Sequence, residues 1–137
     1  DALAKRGAMM DDFTWHLRHP LSTIKEAHRK VQYFIQRGRR GYADCDAWNL
    51  HGYLSSWMPD ALRQLRDGNA YPYPLTAKLW EEKLTTMIEG FEALQRQENL
   101  WEEGLAPWDE QAEWNRLDSK AQTGLREFIN HFHNLWD

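Results

Sequence analysis

Gly41-Tyr42-Ala43-Asp44-Cys45-Asp46-Ala47-Trp48-Asn49-Leu50 opens the stretch whose reading decides the fold, and it continues through His51 to Leu65. Asp44 or Asp46 can accept a hydrogen bond from an unpaired first-turn N–H, and either carboxylate suits the positive end of a helix dipole. Behind them Ala47, Leu50, Leu54, Trp57, Met58, Ala61 and Leu65 recur at helical spacing, and Trp48, Tyr53 and Leu62 widen that stripe. The spacing predicts one helix over 44–67, kinked where Pro59 removes a backbone donor and ended by Asp67-Gly68-Asn69. Every other apolar segment of the chain then needs this helix as a packing partner.

Upstream, Ser22 is a good N-cap, and Ile24, Ala27, Val31, Phe34 and Ile35 share one helical face, which predicts a helix over 22–37 stopped by Gly38. Arg37-Gly38-Arg39-Arg40-Gly41 reads as the connection. Phe13, Trp15 and Leu17 form an extended lead-in before Pro20, and 1–14 is a polar tail open to disorder.

Downstream, Tyr71-Pro72-Tyr73-Pro74 is extended, because each Pro biases the residue before it away from helix. Thr76 caps a helix over 76–101 with the stripe Trp80, Leu84, Met87, Ile88, Phe91 and Leu94. Leu75 and Trp80 are spaced as a hydrophobic staple, and Gly104 is the stop. A short helix near 107–116 carries Trp108, Ala112 and Trp114. Asp118 or Ser119 caps a last helix over 119–135 with Ala121, Leu125, Phe128, Ile129, Phe132, Leu135 and Trp136 on its face. The expectation is an all-α fold, an irregular bundle of four main helices and one short one, forming a single domain over 15–137.

The chain has 137 residues, 42% of them apolar and 28% charged, with eight tryptophans. Cys45 is the one cysteine, so no internal disulfide forms and a reducing compartment is expected. No apolar run is long enough to span a bilayer, and no membrane partner is expected. The net charge of −4 hides a gradient. Residues 1–42 carry nine Lys/Arg against four Asp/Glu, 43–100 five against nine, and 101–137 three against eight. A basic front and an acidic back can steer a partner electrostatically.

Several of these residues together form a pattern. Arg40-Gly41-Tyr42-Ala43-Asp44, Asp46-Ala47-Trp48-Asn49-Leu50, Tyr53-Leu54, and Pro59 with Leu62 resemble a family of small tailed-phage proteins with no assigned activity. Tyr73-Pro74 before a helix, the run Trp80, Leu84, Met87-Ile88 and Phe91-Glu92, and the closing Leu135-Trp136 belong to the same pattern. The resemblance covers roughly 36–95 and the last helix. It implies a phage or prophage origin and hence the cytoplasm of a bacterial host. It carries no catalytic residues, and Leu100 to Leu117 lie outside it.

Three sets of residues are candidates for function. Arg37, Arg39 and Arg40, with Lys25, Arg29 and Lys30 upstream, form the basic cluster, able to meet phosphates or carboxylates, including Asp44 or Asp46 of the chain itself. Trp101, Trp108 and Trp114 stand in the least periodic segment among acids, either as anchors for a partner or as a flap on the core. Glu89-x-x-Glu92 and Glu110-x-x-Glu113 resemble the paired acids with which MazG-like all-α nucleotide pyrophosphohydrolases hold Mg²⁺ against a triphosphate. The chain departs from that pattern by having Glu113 where Asp is expected. Asp44, Asp46, Asp60 and His51 as a metal cluster are better explained by capping. No nucleophile–base arrangement, zinc spacing or phosphate loop is legible.

The expectation is therefore a non-enzymatic interaction or inhibitor protein acting on a host protein through Arg37, Arg39, Arg40, Trp101, Trp108 and Trp114, without a cofactor. A Mg²⁺-dependent pyrophosphohydrolase using Glu89, Glu92, Glu110 and Glu113 is the alternative, and nucleic-acid binding by the Arg37–Arg40 turn is a second one. A homodimer is compatible with each.

Overall fold

The computed structural model describes residues 20–68 and 70–136, without the side chains of Pro20 and Leu21. The expected tail and extended lead-in lie outside the described residues. The chain is all-α, with no strand among the described residues. It divides into two compact units, Asp1–Trp48 and Asn49–Asp137.

The described part of the first unit is a helix–turn–helix. Helix α1, Pro20–Arg40, begins two residues before the expected Ser22 cap and runs through the expected Gly38 stop. A first helical turn tolerates Pro because its missing N–H has no partner there in any case. Gly41, not Gly38, ends the helix. It takes φ +83, in the left-handed region that glycine enters at no steric cost, and its N–H closes on the Arg37 carbonyl at 2.9 Å. Arg37, Arg39 and Arg40 therefore belong to the last helical turn, where cations suit the dipole, and not to a loop. Helix α2, Asp44–Trp48, comes next with both of its acids in the first turn.

The single helix expected over 44–67 is broken at Asn49. Its side chain accepts the Gly52 N–H at 3.1 Å and starts a new helix, α3, Leu50–Asp67. An Asn side chain offers the backbone this alternative to continued helix. Pro59 lies within α3 and is buried. The inward face of α3 is also rotated from expectation. Ser55, Pro59 and Leu62 are buried and Met58 and Leu65 pack beside them, whereas Leu50 and Trp57 stay largely exposed.

Helix α4, Ala77–Glu102, is the spine of the second unit. Thr76 caps it, accepting the Leu79 N–H at 3.3 Å. The Tyr73-Pro74 peptide before it is cis. Trp80, Leu84, Met87, Ile88 and Phe91 form the core with Leu62, and Leu75 packs on the same cluster as the staple requires. At the far end Gly104 takes φ +79, and the Leu105 N–H reaches back to the Leu100 carbonyl at 2.9 Å. That closes a Schellman-type end over a second cluster of Ala93, Leu100, Leu117 and Ala121.

The two helices expected over 107–116 and 119–135 are one. Helix α5, Gln111–Asn130, passes through Asp118-Ser119 without a break and is followed by a 3₁₀ turn, Phe132–Asn134. Asp118 accepts from Gln122 one turn on instead of capping, and Leu117, Ala121 and Gly124 keep one buried phase across the expected boundary. Helices α3 and α5 both pack on α4. Where α4 and α5 cross, Gly90 meets Gly124. A Cβ on Gly124 would stand 2.5 Å from the Gly90 Cα and 2.7 Å from the Thr86 carbonyl oxygen. Spacing alone assigns this role to neither glycine.

Candidate interaction surfaces

In the first unit, the basic end of α1 is largely engaged by its own acids. Arg37 donates to both carboxylate oxygens of Asp46, from Nε at 2.8 Å and Nη2 at 2.5 Å, and Asp46 also accepts the Ala43 N–H at 2.7 Å. Asp46 is buried, and the Arg37 guanidinium beside it draws its carboxyl down to about 2. Arg40 donates to Asp44, and its guanidinium lies 4.5 Å from the centre of the Tyr42 ring. Gln36 and Asp44 exchange two hydrogen bonds, at 2.7 and 2.9 Å. The Asp44 carboxyl is held below its usual range, first by Arg40 and then by Gln36. Arg39 has no side-chain partner among the described residues. Of the three predicted arginines, two staple α1 to α2 and one remains available to a ligand. Trp48, expected in a core stripe, is 92% exposed.

In the second unit the three singled-out tryptophans part company. The closure at Gly104 and a turn in which Asp109 accepts the Ala106 N–H at 3.1 Å bring the segment back beside the end of α4. Trp114 is half-buried against the second cluster, and its indole N–H donates to the Leu105 carbonyl at 3.1 Å. It is a structural residue. Trp101 and Trp108 meet edge to face with ring centres 6.1 Å apart, yet remain 57% and 74% exposed. Two paired, solvent-facing indoles offer flat apolar area with little rotamer freedom left to lose.

A second apolar feature of this unit escapes sequence reasoning. Phe91, Phe128 and Phe132 form an edge-to-face ladder, with centre distances of 5.2 and 5.6 Å, from the core to the surface. Its outer end joins Met58, Ala61, Leu65, Leu135 and Trp136 in lining an open groove of about 420 Å³. The stripe places Phe132 and Trp136 on a core face, whereas both are exposed. A stripe bordering a groove has the same spacing as a stripe that is covered, so the pattern carries no signal for the difference.

Three of the four glutamates of the pyrophosphohydrolase reading are engaged, each by a different cation. Glu89 pairs with Lys120 at 3.4 Å, Glu92 with Arg63, and Glu113 with Arg116 through two hydrogen bonds of 2.7 and 2.8 Å. The Arg116 guanidinium holds the Glu113 carboxyl below its ordinary range. Glu110 precedes α5 and makes no side-chain cap bond. Among the described residues, no group of three or more His, Cys, Asp or Glu side chains is placed to hold a metal ion. Three of the four acids have a protein cation for a partner, and a Mg²⁺ ion would have to displace it. The other candidate metal-binding acids are engaged within their own units: Asp44 pairs with Arg40 and Asp46 with Arg37. Asp60 pairs with Arg63 at 2.7 Å and His51 lies 3.2 Å from Glu98.

No family model, no curated protein and no solved structure matches the chain. No described helix is long and apolar enough to cross a membrane.

Proposed function

We propose that the chain is a non-catalytic, phage-encoded protein that acts by binding a protein of a bacterial host, with defence enzymes as the first class to test. The observation that carries this reading is the Trp101–Trp108 pair, edge to face and open to solvent on the second unit. Large exposed aromatic area is what partner surfaces concentrate, because burying a preordered ring costs little conformational entropy. The engagement of Glu89, Glu92 and Glu113 by cations of the chain supports a binding role over nucleotide hydrolysis. The phage origin rests on the Arg40-to-Leu62 pattern and its companions.

The test is capture from a bacterial lysate by the tagged chain, with and without nuclease, in parallel with the double variant Trp101→Ala/Trp108→Ala. The reading expects a protein that is retained after nuclease and lost with the double variant. The variant should unfold at the same temperature as the parent, while losing at least about 2 kcal/mol of binding. Capture abolished by nuclease, or indifferent to both tryptophans, overturns the reading.

A further inference from the structure

Helix α1 carries an apolar seam that the described part of its unit leaves bare. Ile24, Ala27, Val31 and Phe34 recur at i, i+3, i+7 and i+10, with Ile35 beside Phe34. All five are exposed, Phe34 to 77%. Together they span about 100° of the helix circumference. Helix α2 is bonded to Gln36, Arg37 and Arg40, which lie on the opposite side of α1, so it does not cover the seam.

Charge decides what fits there. Between Pro20 and Arg40 stand Lys25, Arg29, Lys30, Arg37, Arg39 and Arg40 against the single acid Glu26, which is bridged to Lys30 at 3.1 Å. Arg39 stands beside the seam on one side and Lys30 on the other. A second α1 laid on the first would bring together two helices that each carry six cations and one acid, so self-pairing through this face is opposed. A nucleic acid would match the charge but offer nothing apolar to Val31, Phe34 and Ile35. A helix that lies in a lipid interface commonly bears Trp, Phe and Leu on its apolar face, and this seam has one Phe and neither Trp nor Leu. A seam at heptad spacing with basic residues beside it is the geometry of a two-helix contact.

We infer that α1 docks side by side against an amphipathic helix of a partner protein, apolar along its seam and flanked by Glu or Asp. This seam shares no residue with the Trp101–Trp108 pair, so failure of the lysate experiment and failure of this inference are distinguishable.

The probe is a pair of synthetic helical peptides that share one Leu seam and differ in their flanks, Glu in one and Lys in the other. Binding to the full chain is read by fluorescence anisotropy. The Glu-flanked peptide binds and the Lys-flanked one does not, and binding weakens roughly tenfold between low and high salt as flank charges are screened. Phe34→Asp or Val31→Asp abolishes binding, Phe34→Leu retains it, and none of the three shifts the thermal midpoint. No binding of the Glu-flanked peptide, or equal binding of both, overturns the inference. So does preferential, Phe34-dependent binding to phosphatidylglycerol vesicles. A dimer in sedimentation equilibrium that Phe34→Asp dissociates would assign the seam to a second copy. A lowered midpoint for Phe34→Asp would mean that the seam is already covered within the chain. Either result also overturns it.

Discussion

Helices α1 and α4 are both long, both amphipathic and both marked in the sequence by a clean apolar stripe, yet they end in opposite situations. The α4 stripe is the core of its unit, with Leu84 and Met87 wholly inaccessible. The α1 stripe faces outward along its whole length. Periodicity reports that one side of a helix is apolar. It does not report whether the surface that covers that side is in the same unit. Among the described residues, the difference lies in the neighbours each helix has along the chain. α4 is preceded and succeeded by long helices that pack on it, whereas α1 leads into the five-residue α2, held through polar side chains on the far face.

The sharpest way to break this comparison is to truncate one residue in each stripe. Leu84→Ala removes a fully buried side chain and leaves a cavity, at a cost of about 3 kcal/mol in denaturant unfolding. Phe34→Ala removes a larger side chain from solvent and should change stability by less than about 0.5 kcal/mol. If the two variants cost the same, the α1 stripe is a core face and the contrast is void.

Glycine substitutions sharpen the comparison at a smaller scale. Gly124→Ala drives a Cβ into the backbone of α4, where neither Gly90 nor the Thr86 carbonyl can rotate away. It should cost about 2 kcal/mol, since an overpacked backbone contact relaxes only by moving a helix. Gly38→Ala on α1 meets nothing within 4 Å. There the gain in helix propensity acts alone, raising the stability of α1 by roughly 0.5–1 kcal/mol, visible as a higher helical signal on heating.

The all-α class, the α4 helix with its Thr76 cap and Leu75–Trp80 staple, and the Gly104 stop are legible in the sequence because each rests on a local rule that tertiary packing does not oppose. The division at Asn49 is not, because the apolar phase continues across it while the Asn side chain chooses cap over helix. The join at Asp118-Ser119 fails in the other direction. Two good caps are present, but a continuous buried phase outweighs them. Among the site residues, Trp101, Trp108 and Trp114 stand out together as a segment, but their roles depend on which indole reaches the Leu105 carbonyl, which only the folded turn determines. The arginines read as a loop because Gly38 looks like a stop, whereas Gly41 is the glycine with the positive φ.

The smallest predicted effect concerns the ion pair of the first unit that is buried on its acidic side. Asp46 is drawn from an ordinary 3.8 to about 2 by Arg37. A carboxyl whose pKa is lower in the folded state stabilises that state fully above its unfolded value, and the contribution fades as pH falls towards the folded one. The α1–α2 contact should therefore be intact at neutral pH and weaken progressively from about pH 4 to about pH 2. Arg37 is itself half-exposed, so solvent screens the pair and the loss should stay local. Amide exchange at Ala43, whose N–H Asp46 accepts, is the direct readout, with protection lost across that window and absent at every pH in Asp46→Ala. The α4 core contains no such pair among its buried side chains, so its amides should hold their protection after those of Ala43 have exchanged. Simultaneous loss in both places would mean that the two units unfold as one, and the contrast between the helices would then be one of exposure alone.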